Sequence, residues 1–360
     1  MKMPSFKLGH LTVNLPIIQG GMGIGVSLSN LASAVANEGG IGIISGAQIG
    51  FREKNFKSNN DEANINALVK EIRNAKKLSP NGIIGVNVLM ATNNYADMIK
   101  TAVKEKVDLI ISGAGLPKDL PELVKGSNTK IAPIVSSKRS IDTIIKLWKK
   151  RYDKLPDMVI VEGGKAGGHL GFKAEDLINK TFPSIYQITK EVVESVRKIE
   201  EQFNAKIPVI SAGGIFSGKD ILEAFNAGAD GVQMATRFVA TNECDAHENF
   251  KLAYVNANED NIDIIKSPVG MPGRAIVNEF TESVKNAREK ITSCYRCLKQ
   301  CNPATTPYCI TDALIRSVTG DSKNGLIFAG SNAYKVNSIK SVHEIVEEIK
   351  KEYFIALSNK

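Results

Sequence analysis

One short segment of the chain carries residues suited to cofactor chemistry. Residues 161–171 read VEGGKAGGHLG and follow an apolar run at 158–161 that predicts a buried strand. Glycine tolerates positive φ angles and lets the backbone approach a flat or anionic ligand, because no Cβ stands in the way. The loop leads to His169, and an imidazole exchanges a proton near neutral pH. The segment therefore predicts a ligand-binding loop that carries a proton-transfer residue.

Two more loops of this kind follow later apolar runs. Residues 211–215 read SAGGI after the run 207–210, and residues 233–236 read QMAT at the end of another run. Backbone N–H groups in such turns form nests that bind anions without a positive side chain. Three loops of this type at strand ends predict an enzyme with a bound cofactor.

The elements that must position these loops alternate between short, β-branched apolar runs and amphipathic segments. In the amphipathic segments apolar residues recur at three- and four-residue spacing, which predicts helices. Strands that are apolar on both faces and alternate with helices form parallel sheets. The predicted strands are 15–19, 41–45, 83–89, 107–112, 130–135, 158–161, 207–211 and 231–234, and the predicted helices include 27–38, 62–78, 95–106, 140–149, 185–203 and 218–227.

Eight such units are the number that closes a (β/α)₈ barrel. An open doubly wound sheet is the alternative, but that fold has its dinucleotide fingerprint after the first strand. The glycine loops here follow strands six, seven and eight, and barrels commonly hold phosphate with the loops after strands seven and eight. We therefore predict an α/β fold of the TIM-barrel class.

The other segments fall outside this repeat. Residues 50–60 and 172–182 are expected to be loop insertions beside the barrel mouth. Residues 1–244 would form the barrel, and residues 245–360 a mostly helical C-terminal subdomain or lid. No Pro/Gly/Ser-rich linker separates the two parts, so the second part is not expected to be an independent domain.

Six motifs in a fixed order give the chain a recognisable pattern. Over about residues 10–240 the sequence resembles the nitronate monooxygenase (2-nitropropane dioxygenase) family of FMN-dependent barrels and its relative, the FMN-dependent enoyl-ACP reductase II. A further echo lies at 273–276 (GRAI) and 328–331 (FAGS). The six motifs are QGGM at 19–22, GVN at 85–87, SGAG at 112–115, VEGGKAGGH at 161–169, AGGI at 212–215 and GVQMATRF at 231–238.

The resemblance implies that FMN lies across the barrel mouth. Its phosphate would be held by backbone amides of the AGGI and QMAT loops and by the Thr236 hydroxyl. Asn87 and Met22 each have a plainer alternative, as a core amide and as ordinary packing. The implied cofactor-binding set is Gln19, Gly21, Met22, Asn87, Ser112, Glu162, Gly168, Ala212, Gly213, Gly214, Met234, Ala235 and Thr236.

By the same resemblance, His169 is the catalytic residue. It would deprotonate the carbon next to a nitro group, or protonate the α-carbon after hydride addition to an enoyl thioester. A role limited to hydrogen-bonding the cofactor is the alternative. Glu162, at the end of the sixth strand, is expected to bind a ribityl hydroxyl, to stabilise a cation or to pack inside the barrel.

Four of the five cysteines lie outside the resemblance. Cys294, Cys297, Cys301 and Cys309 occur within sixteen residues, and two prolines separate the third from the fourth. In a reducing compartment such a group favours metal over disulfides. A [4Fe–4S] cluster, a tetrahedral zinc ion and unliganded thiols on a helix face stay open.

Three functions follow from these observations. The first is an FMN-dependent oxidoreductase that oxidises alkyl nitronates to a carbonyl compound and nitrite. The second is an enoyl-ACP or enoyl-CoA reductase II that uses NAD(P)H, with an acyl carrier protein as partner. The third is a flavin-free barrel whose cysteine module is a zinc-stabilised interaction site.

The composition is that of an ordinary globular protein, with 43% hydrophobic and 23% charged residues in a chain of 360. The net charge of +8 is scattered rather than interleaved with aromatic residues, which argues against nucleic acid as a partner. No apolar run has the length of a signal-peptide core or a membrane span. We therefore expect a cytoplasmic enzyme with a small-molecule substrate, and a homodimer among its expected assemblies.

Overall fold

The computed structural model describes residues 2–359, and these residues form thirteen β-strands and thirteen α-helices. Most of the strands are short and rich in isoleucine and valine. The strands in chain order are β1 (Phe6–Leu8), β2 (Leu11–Val13), β3 (Ile17–Gln19), β4 (Ile41–Ser45), β5 (Ile83–Leu89), β6 (Leu109–Gly113), β7 (Lys130–Val135), β8 (Val159–Glu162), β9 (Gly168–His169), β10 (Val209–Ala212), β11 (Gly231–Met234), β12 (Ile262–Lys266) and β13 (Pro272–Ile276).

The helices range from single turns to five turns. No helix within residues 2–359 is both long and apolar enough to cross a membrane. In chain order they are α1 (Ser29–Asn37), α2 (Asn60–Leu78), α3 (Tyr95–Lys104), α4 (Leu120–Leu123), α5 (Lys138–Tyr152), α6 (Ala174–Ile178), α7 (Ile185–Phe203), α8 (Gly218–Asn226), α9 (Thr236–Val239), α10 (Glu248–Val255), α11 (Glu279–Asn286), α12 (Ile310–Val318) and α13 (Val342–Ser358).

Eight parallel strands close into a barrel in the order β3, β4, β5, β6, β7, β8, β10, β11. The ring closes where Val232 of β11 pairs with Ile17 of β3. These strands are apolar on both faces because one face lines the barrel and the other meets the helices. The prediction of a TIM barrel is confirmed, and the closed ring excludes an open doubly wound sheet. The ends of each predicted strand lie within two residues of the observed ends.

The hairpin of β1 and β2 closes the N-terminal end of the barrel. Its apolar residues Phe6, Leu8 and Val13 belong to the same buried cluster as Ile43 and Ile160, which lie inside the barrel. This end is therefore filled by side chains. The open end is the one formed by the carboxyl ends of the strands.

Helix α13 completes the outer layer of helices. It packs against α8 and α1, and Glu352 accepts a hydrogen bond from the backbone N–H of Gly218 at 2.7 Å. Buried Arg237 donates to Glu348 at 2.6 Å and to Glu352 at 3.0 Å. The last helix of the chain thus belongs to the barrel layer, and the division of the chain after residue 244 stays a prediction.

A second sheet joins the C-terminal part to the loop that carries His169. Strands β12 and β13 form an antiparallel hairpin, and β13 also pairs with β9 through Gly273 and His169. This sheet is not predicted from the sequence, because a two-residue strand and one short hairpin give no periodic pattern. The segments 50–60 and 172–182, expected as loops, contain parts of short helices at Ile49–Arg52 and Ala174–Ile178.

Candidate active site

A cavity of about 450 Å³ opens at the carboxyl ends of the barrel strands. Its wall includes Ser45 of β4, Asn87 of β5, Glu162 of β8 and Ala212 of β10. Phe328, from the C-terminal part, closes one side. Enzymes with this barrel carry their active sites at the carboxyl ends of the strands. The cavity is therefore the candidate active site.

The structure brings together most of the residues predicted for catalysis and cofactor binding. Eleven of the fourteen predicted residues line the cavity, and the other three lie behind its wall. The eleven are Gly21, Met22, Asn87, Glu162, Gly168, His169, Ala212, Gly213, Gly214, Ala235 and Thr236.

The three residues behind the wall are Gln19, Ser112 and Met234. The side-chain amide oxygen of Gln19 accepts a hydrogen bond from the backbone N–H of Ile43 at 3.1 Å, and its side-chain nitrogen donates to the backbone carbonyl of Gly20. The Ser112 hydroxyl pairs with the Tyr95 hydroxyl at 2.9 Å. The Met234 side chain is buried. These side chains hold the strands that carry the cavity wall.

Three loops meet at one end of the cavity, and two of them were predicted to hold phosphate. Gly213 and Gly214 have φ angles of 88° and 102°, which only glycine adopts at low cost. Thr236 begins α9 directly after β11. The third loop is 329–332, where Asn332 donates to the carbonyl of Gly214 at 2.8 Å. The FAGS motif was the sequence signal for this third loop.

The third loop approaches Thr236 closely and carries an unpaired hydroxyl. A Cβ on Gly330 would lie 2.8 Å from the Thr236 hydroxyl oxygen, so only glycine fits there. The buried Ser331 hydroxyl has no hydrogen-bond partner within the described part of the chain. Buried hydroxyls are normally paired, but Ser331 itself does not line the cavity, whereas its neighbours Gly330 and Asn332 do.

His169 lies on β9 in the second sheet and lines the cavity. Its Nε2 and the Ser267 hydroxyl oxygen are 2.7 Å apart, and its ring meets the Phe328 ring edge to face with centroids 4.9 Å apart. Burial lowers the pKa of His169 to about 4, because a charged imidazolium loses its hydration there. The imidazole is therefore neutral at physiological pH. Ser267 was missed by the sequence analysis, and no motif marks it.

The buried Arg274 holds the glycine loop that leads to His169. It lies on β13 and donates hydrogen bonds from Nη1 to the carbonyls of Gly164 at 2.7 Å and Ala166 at 2.6 Å. Burial lowers its pKa to about 10, so the guanidinium stays charged at neutral pH. The GRAI motif was its signal in the sequence, but the predicted set did not include it.

The glycines of this loop serve two different needs. Among the four glycines at 163–168 only Gly168 has a positive φ, of 71°. A Cβ on Gly167 would lie 2.6 Å from the carbonyl carbon of Ala329. The freedom to adopt a positive φ is therefore used at Gly168, and at Gly167 the lack of space requires glycine.

Two polar side chains of the barrel mouth have unpaired acceptors. Glu162 makes no hydrogen bond or ion pair through its carboxylate in residues 2–359, and burial raises its pKa to about 7. The buried side-chain amide oxygen of Gln233 also has no hydrogen-bond partner among these residues. Both residues line the cavity. Such acceptors fit a ligand that supplies N–H or O–H donors.

The four clustered cysteines lie together, and none of them lines this cavity. They line one small cavity of about 30 Å³, whereas Cys244 is buried elsewhere. The residues that line this small cavity are Ile291, Ser293, Cys294, Tyr295, Arg296, Cys297, Leu298, Cys301, Pro303, Thr306, Cys309 and Ile310.

Comparisons with known proteins identify the family to which this chain is similar. The sequence pattern of the family described as nitronate monooxygenase matches residues 4–352. A probable nitronate monooxygenase of Staphylococcus aureus (strain JH9) is 26% identical over 299 residues, which cover 76% of this chain and 78% of the relative. The structure of FabK from Thermotoga maritima has a TM-score of 0.75 at 27% identity, over 96% of this chain and 95% of FabK.

A nitroalkane oxidase structure from Streptomyces ansochromogenes has the same fold, with a TM-score of 0.73 at 21% identity over 96% of this chain and 97% of that one. Fold, site and relatives define the class of protein, a flavin-dependent oxidoreductase built on a TIM barrel. Within this class, the chain belongs to the nitronate monooxygenase family. The hypothesis of a flavin-free barrel is thereby set aside.

Proposed function

We propose that the protein uses FMN to oxidise nitroalkanes, through their alkyl nitronates, to carbonyl compounds and nitrite with O₂ as oxidant. We propose FMN as the cofactor because its single phosphate suits the end of the cavity formed by Gly213, Gly214 and Thr236. The unpaired acceptors of Glu162 and Gln233 suit the hydroxyl and N–H donors of a flavin. When bound, FMN supplies the redox chemistry.

The position of His169 is the observation that carries the proposal. Its imidazole lines the cavity, and burial lowers its pKa, so the ring is in the neutral form that can accept a proton. Its Nε2 already pairs with the Ser267 hydroxyl at 2.7 Å, while Nδ1 has no partner among the described residues. Nδ1 is therefore the atom that would take the proton from the carbon next to the nitro group.

Neighbouring residues fix this base in place. Ser267 orients one ring nitrogen, and the edge contact with Phe328 limits rotation of the ring. Arg274 holds two carbonyls of the loop that ends in His169. A base that is already fixed loses little entropy when the substrate binds.

An enoyl-ACP reductase II activity with NAD(P)H is the second candidate. The likeness to FabK over nearly the whole chain supports it. In that reaction the histidine must give a proton to the α-carbon, so it must carry the proton beforehand. Burial lowers the pKa of His169 and so disfavours the protonated form that this reaction requires.

The two candidates separate in one side-by-side assay. Purified protein is loaded with FMN, and nitrite and O₂ uptake are measured with a nitroalkane and with its preformed nitronate. In parallel, NADH and NADPH oxidation is followed with an enoyl-CoA and with an enoyl-ACP. We expect nitrite and the carbonyl product in equal amounts.

Turnover of enoyl thioester without nitrite formation would instead support the reductase. The mass of the released cofactor is measured on the same sample. We expect the mass of FMN, and the mass of FAD would contradict the assignment of the phosphate end.

A further inference from the structure

The segment between α11 and α12 is a long stretch without regular structure. It runs from residue 287 to 309, and no helix or named strand interrupts it. Loops of this length without secondary structure are uncommon inside compact domains and are usually functional or disordered. All four clustered cysteines lie in this segment. The segment is therefore held by contacts other than regular secondary structure.

The four cysteine side chains surround one small cavity of about 30 Å³. Cys294 is exposed, whereas Cys297, Cys301 and Cys309 are partly buried. The backbone N–H of Arg296 donates to the Cys294 sulfur at 3.4 Å. Thiolates are the usual protein ligands of iron–sulfur clusters and of structural zinc. The fold thus places four thiol groups, which are soft metal ligands, around one small cavity.

The spacing of the cysteines along the chain distinguishes the two metals. Four-cysteine zinc sites usually take their ligands as two C-x₂-C pairs that a longer segment separates. Here three cysteines are spaced C-x₂-C-x₃-C, and the fourth follows after seven more residues. Three closely spaced cysteines with a further one elsewhere are typical of iron–sulfur proteins. We infer that Cys294, Cys297, Cys301 and Cys309 bind a [4Fe–4S] cluster.

The proposed cluster lies beside the active site but shares no residue with it. Cys309 directly precedes α12, and Leu314 and Ser317 on that helix line the large cavity. With a rise of about 1.5 Å per residue, Ser317 is about 12 Å along the helix from Cys309. The segment also docks on the barrel mouth, where the Cys297 carbonyl accepts from Asn93 N–H at 3.1 Å and Lys299 N–H donates to Ala91 at 2.9 Å.

The test measures the metal directly on protein expressed with ample iron and purified without oxygen. Iron, zinc and acid-labile sulfide are determined per chain, and we expect about four irons and four sulfides. The spectrum should show absorption in addition to that of the flavin, and it should bleach with dithionite. About one zinc without sulfide would overturn the proposal, as would less than about 0.2 equivalents of any metal.

Two variants separate a cluster from iron bound elsewhere. Cys297→Ser should lose most of the iron and sulfide, whereas Cys244→Ala, which removes the thiol outside the cluster, should keep both. Equal iron in the two variants would contradict the assignment. Native alkylation of the wild-type protein gives a readout that needs no variant: Cys294, although exposed, should resist alkylation until the iron is chelated. Rapid alkylation of all four thiols before chelation would overturn the cluster.

Discussion

Glu162 and Gln233 lie in the same row of the barrel mouth, on either side of Ala212. In the strand register Ala212 of β10 pairs with Glu162 of β8 and also with Gln233 of β11. Adjacent strands are about 4.8 Å apart, so the two polar side chains flank a gap that the small alanine leaves open. Neither the Glu162 carboxylate nor the side-chain amide oxygen of Gln233 accepts a hydrogen bond from another residue within 2–359. This row is the part of the site that most clearly awaits a polar ligand.

The unpaired carboxyl of Glu162 makes a prediction about stability and pH. Burial raises its pKa from the ordinary 4.5 to about 7 in the folded protein, so the stability linked to this group is fully present below pH 4.5 and is lost as the pH rises through 7. Glu162→Gln has no such loss. In flavin-free protein, the variant should melt at a higher temperature than wild type at pH 8, and at nearly the same temperature at pH 4.5. A constant difference across this range would show that the carboxyl is not buried without a partner.

Thr236 tests where the cofactor phosphate lies. Thr236→Val keeps the shape of the side chain but removes the hydroxyl. The Kd of FMN should rise about tenfold or more, because a hydrogen bond to a charged group contributes about 1.5–3 kcal/mol. Riboflavin, which has no phosphate, is the matched control, and its Kd should change little. Equal weakening of both flavins would move the phosphate away from this residue.

Arg274 is predicted to support the active site without contacting the reacting atoms. Arg274→Met leaves two buried carbonyls unpaired, and the free energy of unfolding should fall by about 2–4 kcal/mol. The exposed Arg139→Met is the control and should have almost no effect. At a temperature where both variants are folded, kcat of Arg274→Met should fall more than flavin binding does. Unchanged kcat with lower stability would make Arg274 purely structural.

The rate with a nitroalkane should depend on pH in a way that reflects the lowered pKa of His169. The neutral imidazole is the active form, so kcat/KM should stay level from pH 8 down to about 5 and fall only as the pH approaches about 4. Measuring the profile in Glu162→Gln removes the other titrating group of the cavity. A fall with a midpoint near 6.5, the ordinary value, would mean that burial does not govern this histidine.

The barrel and most of its site were predictable from the sequence because their signals are local. Each strand is a short apolar run and each helix has a regular apolar spacing, so the order of elements alone leads to a closed barrel. The glycine loops and His169 follow strand ends directly, and the fold brings all carboxyl ends together. Thr236 and Gly213 therefore line the same cavity although they are 23 positions apart in the sequence.

The other parts of the site depend on pairing between distant segments. Ser267 reaches His169 across 98 positions and Arg274 reaches Gly164 across 110, and neither distance leaves a periodic pattern. The same holds for β9, whose two residues pair only because β13 lies beside them. Gln19 and Ser112 belong to matching motifs, yet their side chains turn into the wall. A motif identifies a strand end, but tertiary packing decides which of its side chains face the ligand.

The most direct test of the proposed function compares two substrates in one variant. His169→Asn removes the base but keeps a polar side chain next to Ser267. With FMN bound, kcat/KM for a neutral nitroalkane should fall by about 10²–10⁴-fold, the usual contribution of a general base. With the preformed nitronate, which has already lost its proton, the fall should be less than about tenfold. Equal losses with both substrates, or no loss with the nitroalkane, would contradict the assignment of His169 as the base.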